Sequence, residues 1–142
     1  MPSTIDTNKA RANAARKLYD FNPGSTVMTP VEWMPMVHFR HFLIGVLKVV
    51  GNGAITVEIA AATDGTGAGA LAVKAYLGGL LNAPGEQVWL EASADEVRSV
   101  VPAATHVTAR VTLANAADRC AVLHERSFPR FPQDGLTFDI AA

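Results

Sequence analysis

The sequence predicts an all-β protein, an antiparallel β-sandwich or barrel that is jelly-roll-like, for three reasons. It has six or seven short segments that are β-branched and aromatic or that alternate between apolar and polar residues. Turn signals containing glycine, asparagine and proline separate these segments, and only one stretch of the body carries a helix signal. At 142 residues, the pattern predicts one sandwich domain over residues 25–133, with an N-terminal arm at 1–24 and an extended C-terminal tail at 134–142.

The N-terminal segment is basic and rich in alanine. Lys9, Arg11, Arg16 and Lys17 lie in a run of helix formers whose alanines offer little area to bury. Two interpretations are open: a basic arm that is mobile or docks on a partner, and a short helix lying on its own domain. We expect no signal peptide, because residues 1–20 contain no continuous apolar stretch.

The first part of the body predicts a β-hairpin. Residues 38–50 form the strongest strand segment, which is β-branched, aromatic and too apolar to be exposed on both faces. Gly51-Asn52-Gly53 is a turn signal. In residues 55–60 an apolar face alternates with a face of Thr56, Glu58 and Ala60, which is typical of a half-buried strand.

The second part predicts further strands and one short helix. Residues 70–77, 87–91, 105–113 and 120–125 read as strands, and Ser93 with Glu96 has the capping-box spacing that starts a helix over 94–100. The two prolines in 128–132 exclude that stretch from a central strand. It therefore predicts an extended tail whose Phe128 and Phe131 need a surface to bury them.

Composition excludes some partners. The formal net charge is −1 and charged residues make up 18% of the chain, against about 25% in typical domains. This argues against nucleic-acid binding through a broad cationic face and suggests that partners cover part of the surface. The apolar window 42–62 is interrupted by Lys48, by 51–53 and by Glu58, so no membrane span is expected.

No motif predicts a catalytic residue, a metal ligand set or a cofactor site. The glycine-rich stretch 64–69 lacks the lysine of a phosphate loop, which favours a strand connection. No serine lies in a nucleophile elbow, and the single cysteine, Cys120, sits in an apolar run that suits a buried position. The four histidines form no metal-binding spacing; they are His38, His41, His106 and His124.

Two tryptophans are candidates for a binding surface. Strand alternation places Trp89 on one face with Gln87 and Glu91, opposite Val88 and Leu90, which favours an interface over the core. For Trp33 and Trp89 together, a core or interface role is favoured over a platform for a sugar ring, and Trp89 is the better candidate for such a platform.

Several stretches, taken in chain order, resemble a known family. They are LYDFNP (18–23), EWMP (32–35), KVVG (48–51), AATDGTGA (61–68) and LHERSFPRFP (123–132). This order, over about residues 14–133, resembles small structural proteins of tailed bacteriophages that are regarded as capsid decoration or cement proteins. The connection after Gly51 is shorter than that group leads one to expect.

The resemblance implies a β-sandwich without enzymatic activity, present in many copies on the capsid exterior of a virion that is assembled in the host cytoplasm. Its implied partners are the major capsid protein and copies of itself, as a homo-oligomer. The partner-binding residues that we expect, all in the arm, the tail or the Trp33 segment, are Arg16, Tyr19, Trp33, Phe128, Arg130 and Phe131. The alternative is a carbohydrate- or receptor-binding β-sandwich module. A hydrolase is least favoured, because no catalytic constellation is present.

Overall fold

The computed structural model describes residues 14–37, 39–76 and 82–129 of the chain. Within these ranges nine strands and one helix follow one another. The strands are β1 (Ala14–Phe21), β2 (Thr29–Pro30), β3 (Met34–Pro35), β4 (Phe39–Val50), β5 (Ile55–Ala62), β6 (Leu71–Tyr76), β7 (Gln87–Ser93), β8 (His106–Leu113) and β9 (Arg119–Pro129). The helix is α1 (Ala94–Val100), between β7 and β8.

The strands form two antiparallel sheets. The first sheet has the order β1-β9-β4-β7, and the second has the order β2-β8-β5-β6, with β3 also paired to β8. If β2 and β3 are counted as one interrupted strand, each sheet has four strands, and most successive strands lie in opposite sheets. This is the strand order of a jelly roll, so the predicted fold class is confirmed.

The core lies between the two sheets. Phe42, Ile44 and Val46 of β4 are buried, as are Val107 and Val111 of β8. The predicted polar face of β5 is not exposed, because Glu58 and Ala60 are also buried. Glu58 pairs in register with Arg110 of β8 and forms an ion pair with its guanidinium.

The predicted hairpin of residues 38–60 is wrong, although its turn is real. β4 pairs with β7 and β9 in the first sheet, whereas β5 pairs with β6 and β8 in the second. The chain changes sheet at the Gly51–Gly53 turn, where Gly51 has a φ of +100°. A turn signal between two apolar strands does not decide whether they pair with each other or with strands that come later.

The predicted arm is also wrong over its second half. Residues 14–21 form neither an arm nor a helix but the edge strand β1, which pairs with β9 from Ala14–Ser127 to Phe21–Cys120. Tertiary pairing overrides the helix propensity of the alanines. The sandwich therefore begins before residue 25, and residues 1–13 lie outside the described ranges.

The last strand is longer than predicted. Phe128 and Pro129 belong to β9, which lies between β1 and β4, so their exclusion from a central strand is wrong. The described register with β1 reaches only Ser127, and Pro129 pairs with Phe39 of β4. Residues 130–142 lie outside the described ranges.

The helix begins at the predicted capping box. The Glu96 N–H donates to Ser93 Oγ (3.1 Å), and the Ser93 N–H donates to Glu96 Oε2 (3.0 Å). We expect Ser93→Ala to lower the free energy of unfolding by about 1 kcal/mol in urea denaturation, because the cap satisfies an otherwise unpaired N–H. The control is Ser99→Ala, whose exposed hydroxyl donates to the Glu96 carbonyl; an equal loss there would contradict the capping role.

Candidate functional site

An apolar row crosses the outer face of the first sheet. Leu18 of β1 pairs with Leu123 of β9, Leu123 pairs with Gly45 of β4, and Gly45 pairs with Trp89 of β7. Leu18 is 70% exposed and Trp89 is 51% exposed. In the next row, Leu47 of β4 is 40% exposed. We call this surface the Trp89 face; its residues are Leu18, Gly45, Leu47, Trp89, Ala121 and Leu123.

The indole of Trp89 covers Gly45. A Cβ placed on Gly45 would lie 2.3 Å from Trp89 Cζ3, so any side chain there would displace the ring. Trp89 Nε1 donates to Gln87 Oε1 (3.0 Å), which fixes the polar edge of the ring. A glycine in a strand has no side chain to pack against its neighbours, and an aromatic ring from the adjacent strand can fill that space. The indole is therefore held in place while half of its surface remains exposed.

Charged pairs border the apolar row. Arg16 forms an ion pair with Glu125 on one side, and Arg119 forms an ion pair with Asp20 (2.7 Å) on the other. These charges are paired within the chain, and the side chains are partly exposed. An apolar centre inside a polar rim is the usual anatomy of a protein interface.

Trp89 lies where the alternation predicts. Trp89 and Glu91 are exposed on the outer face, whereas Val88 and Leu90 are partly buried and pack against the core. Trp33 is half-buried, and its indole lies so close to Gly67 of the 63–70 loop that a Cβ there would be 2.9 Å from Nε1. The interface role of both residues stays a prediction.

The other predicted anchors do not form one cluster in the described structure. Arg16 borders the Trp89 face, whereas Tyr19 is half-buried and donates its hydroxyl proton to Glu32 Oε2 (2.6 Å). Phe128 is the last residue but one of β9, and its side chain is not described; Arg130 and Phe131 lie outside the described residues. Their part in partner binding stays a prediction.

A polar cluster lies beside β1. Glu32 Oε2 accepts from both Lys17 Nζ (2.6 Å) and Tyr19, and these two hydrogen bonds lower the pKa of Glu32. Burial, followed by the hydrogen bond to Glu32, raises the pKa of Tyr19 well above its usual value. His124 is buried nearby without a described hydrogen-bond partner, and burial lowers its pKa to about 4, with the Arg126 charge adding to the effect.

A buried ion pair lies at the corner where the chain changes sheet. Lys48 Nζ donates to Asp118 Oδ2 (2.7 Å) and to the Gly53 carbonyl (2.5 Å), and the Gly53 N–H donates to the same Oδ2 (2.9 Å). Both charged side chains are almost fully buried. The pair joins the start of the turn to the loop before β9, which suits a structural role.

The remaining candidates for chemistry have structural explanations. Burial raises the pKa of the Cys120 thiol to about 12, which does not suit a nucleophile. Asp64 accepts from the Thr66 hydroxyl (2.6 Å) and N–H (2.8 Å), so the glycine-rich loop is closed on itself. Among the described residues, no group of three or more His, Cys, Asp or Glu could hold a metal ion. No helix there has the length and apolar character to cross a membrane.

Sequence reasoning missed most of the Trp89 face. The sequence pattern places Leu18 in the arm and gives Gly45 and Leu47 only as members of a strong strand. A glycine in the middle of such a strand is a signal that another side chain or backbone approaches closely. Its partner could not be identified without the register between β4 and β7.

No protein-family model matches the chain, and no curated protein matches it. Similar solved structures include a Bacillus endospore appendage described as a disulfide-linked pilus (14% identity, TM-score 0.48, covering 81% of this chain and 87% of that chain). Another is the SPBc2 prophage-derived protein YomS (12%, 0.42, 81% and 95%). A third is VP2 of an infectious bursal disease virus subviral particle (12%, 0.43, 82% and 30%). All three TM-scores are below 0.5, so these similarities carry no argument about function.

Proposed function

We propose that the chain is a non-enzymatic structural protein of a phage virion, a decoration or cement protein that stabilises the capsid lattice. It binds on the outside of the head, after assembly in the host cytoplasm, and it bridges neighbouring subunits. Its partners are the major capsid protein and copies of itself. The observation that carries the proposal is the Trp89 face, an apolar surface across four strands with a charged rim.

The physical support is the free energy that this face releases when it is covered. Removing apolar surface from water stabilises by about 25 cal/mol per Å², or about 1.5–3 kcal/mol for one large side chain. Leu18, Leu47 and Trp89 are all substantially exposed, and a buried tryptophan is among the residues that contribute most to interfaces. Repetition of a modest contact in many copies gives firm attachment to a lattice.

The sequence resemblance and the strand order point the same way. Jelly rolls form viral capsid proteins, but also lectins, so the fold alone does not decide between these functions. Within the proposal, Arg16 belongs to the rim of the Trp89 face. Tyr19, Trp33 and Phe128, with Arg130 and Phe131 of the tail, are further contacts with neighbouring subunits.

The alternative is carbohydrate binding, and one observation favours it: the exposed indole of Trp89 is a surface on which a sugar ring could stack. A sugar site also needs polar groups beside the platform to fix the hydroxyls. Gln87 is available, but the other neighbours on the face are Leu18, Leu47, Ala121 and Leu123. This surrounding favours an apolar protein partner. Saturable binding on a glycan array would favour the alternative.

The test is reconstitution of particles that lack the chain. We expect the purified chain to add to such particles in many copies and to raise the temperature at which they release DNA. Leu18→Ser on the Trp89 face should weaken binding about tenfold or more, because burial of a leucine contributes about 1.5–3 kcal/mol.

The matched control is Leu71→Ser. Leu71 is 53% exposed and lies on β6, the edge strand of the other sheet, just as Leu18 lies on the edge strand β1. Leu71→Ser should leave particle binding unchanged. Absence of the wild-type chain from washed particles would contradict the virion role, and an equal loss in both variants would contradict the role of the face.

A further inference from the structure

The C-terminal segment contains a second strand pattern that the described residues do not include. In residues 136–140, Leu136, Phe138 and Ile140 alternate with Thr137 and Asp139, directly after an Asp-Gly turn signal at 134–135. Such alternation places three apolar side chains on one face of a strand, and that face requires an apolar surface to cover it. The Trp89 face is an exposed surface of this kind.

We propose that residues 136–140 of one copy dock on the Trp89 face of a second copy. The proposal rests on the proposed function and names the contact by which copies bridge one another. Leu136, Phe138 and Ile140 pack against the row that runs from Leu18 to Trp89.

The dimensions of the two surfaces agree. Residues in a strand rise about 3.4 Å each, so Leu136 and Ile140 lie about 14 Å apart in extended backbone. Neighbouring strands lie about 4.8 Å apart, so the row from Leu18 on β1 to Trp89 on β7 also spans about 14 Å. Three side chains laid across the four strands therefore cover the row from one edge to the other.

The reach of the chain favours a second copy over the same copy. On β9, the row at Leu123 lies about 20 Å before the strand end at Pro129. Five residues lead from Pro129 to the turn signal at 134–135, and in the extended backbone that Pro132 favours they span about 17 Å. The five residues 136–140 return only about 17 Å. A strand that turned back at 134–135 would therefore stop well short of its own row.

The contact has a consequence for assembly. Each copy offers one tail and one Trp89 face, so a single contact joins two different patches, and two copies that exchange tails close into a pair. Where the exchange is not reciprocal, the contacts close into larger rings or continue from copy to copy. Each of these arrangements suits a protein that bridges the subunits of a lattice.

Disulfide trapping between full-length copies tests the contact. A chain carrying Leu18→Cys is mixed with a chain carrying Phe138→Cys under mild oxidation, and the products are separated without reductant. We expect a disulfide-linked heterodimer. The control replaces Leu18→Cys with Leu71→Cys, on the edge of the other sheet, and the heterodimer should be lost. Cys120 is buried and does not compete.

A second measurement needs no new thiol. In sedimentation experiments Phe138→Ser should abolish self-association, whereas Thr137→Ser, on the opposite face of the same segment, should not. The proposal is overturned if no heterodimer forms, if both cysteine pairs react equally, or if a chain carrying Leu18→Cys and Phe138→Cys links only within itself. A chain that fails these tests but still binds particles retains the virion role and loses only the tail contact.

Discussion

Replacing Asp118 with alanine is expected to lower the free energy of unfolding by about 3–5 kcal/mol, the largest effect of any single change considered for this chain. The carboxylate accepts from Lys48 Nζ and from the Gly53 N–H. Without it, an ammonium group with a fully buried side chain keeps only the Gly53 carbonyl as an acceptor. An uncompensated buried charge is much more costly than the loss of an exposed ion pair.

Asp20→Ala is the matched control. Asp20 also accepts from a cation at 2.7 Å, the guanidinium of Arg119, but its side chain is largely exposed. Exposed pairs contribute about 0–1 kcal/mol. Chemical denaturation of both variants measures the difference, and a loss for Asp118→Ala no greater than that for Asp20→Ala would contradict the structural role of the buried pair.

Removing both charges should restore part of the loss. In a chain with Lys48→Met and Asp118→Ala, no ammonium is left without a counter-ion, and the methionine retains most of the packing of the lysine stem. The Gly53 N–H still lacks its acceptor, which keeps this variant below the wild type. We expect it to be more stable than Asp118→Ala alone in the same denaturation experiment.

The parts of the fold that depend on local sequence could be predicted. The alternation in β7 gives its two faces correctly, and Ser93 with Glu96 marks the start of α1. Their signals lie within a few residues of one another, so no long-range contact has to be known. The all-β class follows from the same patterns.

The parts that depend on which strands pair could not be predicted. Residues 14–21 look helical because alanine has high helix propensity, yet their pairing with β9 makes them a strand. The apolar strands β4 and β5 look like a hairpin because no local feature reveals that later strands supply their partners. Lys48 looks like an interruption of an apolar run, since its partner Asp118 lies far away in the sequence.

The candidate site divides in the same way. Alternation alone places the side chain of Trp89 on the outer face, and the structure confirms this exposure. The apolar row, however, exists only because Leu18, Leu123 and Gly45 come into register with it across four strands. The charged rim likewise joins residues from the two ends of the chain, Arg16 with Glu125 and Asp20 with Arg119.

Acid should destabilise the protein through His124. Burial, with the nearby positive charge of Arg126, lowers the pKa of His124 from 6.5 to about 4 in the folded state. Between these values the unfolded chain binds a proton that the folded chain does not, so stability falls as the pH is lowered through this window and the loss levels off below about pH 4. At pH 4 this shift lowers the free energy of unfolding by about 3 kcal/mol relative to neutral pH.

Other charged and titratable groups beside His124 also affect the stability of the protein in this pH range. Arg16 and Lys17 of β1, Glu32 before β3 and Arg126 of β9 line the same pocket as His124. Protonation of Glu32, whose own pKa is lowered, also reduces stability in acid. The contribution of His124 is therefore isolated by comparing the wild type with His124→Leu. The quantity compared is the change in the free energy of unfolding between pH 4 and pH 7, measured by urea denaturation. The pH profile of the variant should be flatter by about 3 kcal/mol.

His124→Gln, which is polar but does not titrate, should give the same flattening, because the effect comes from the proton and not from packing. Parallel profiles for the wild type and both variants would show that His124 does not cause the acid sensitivity.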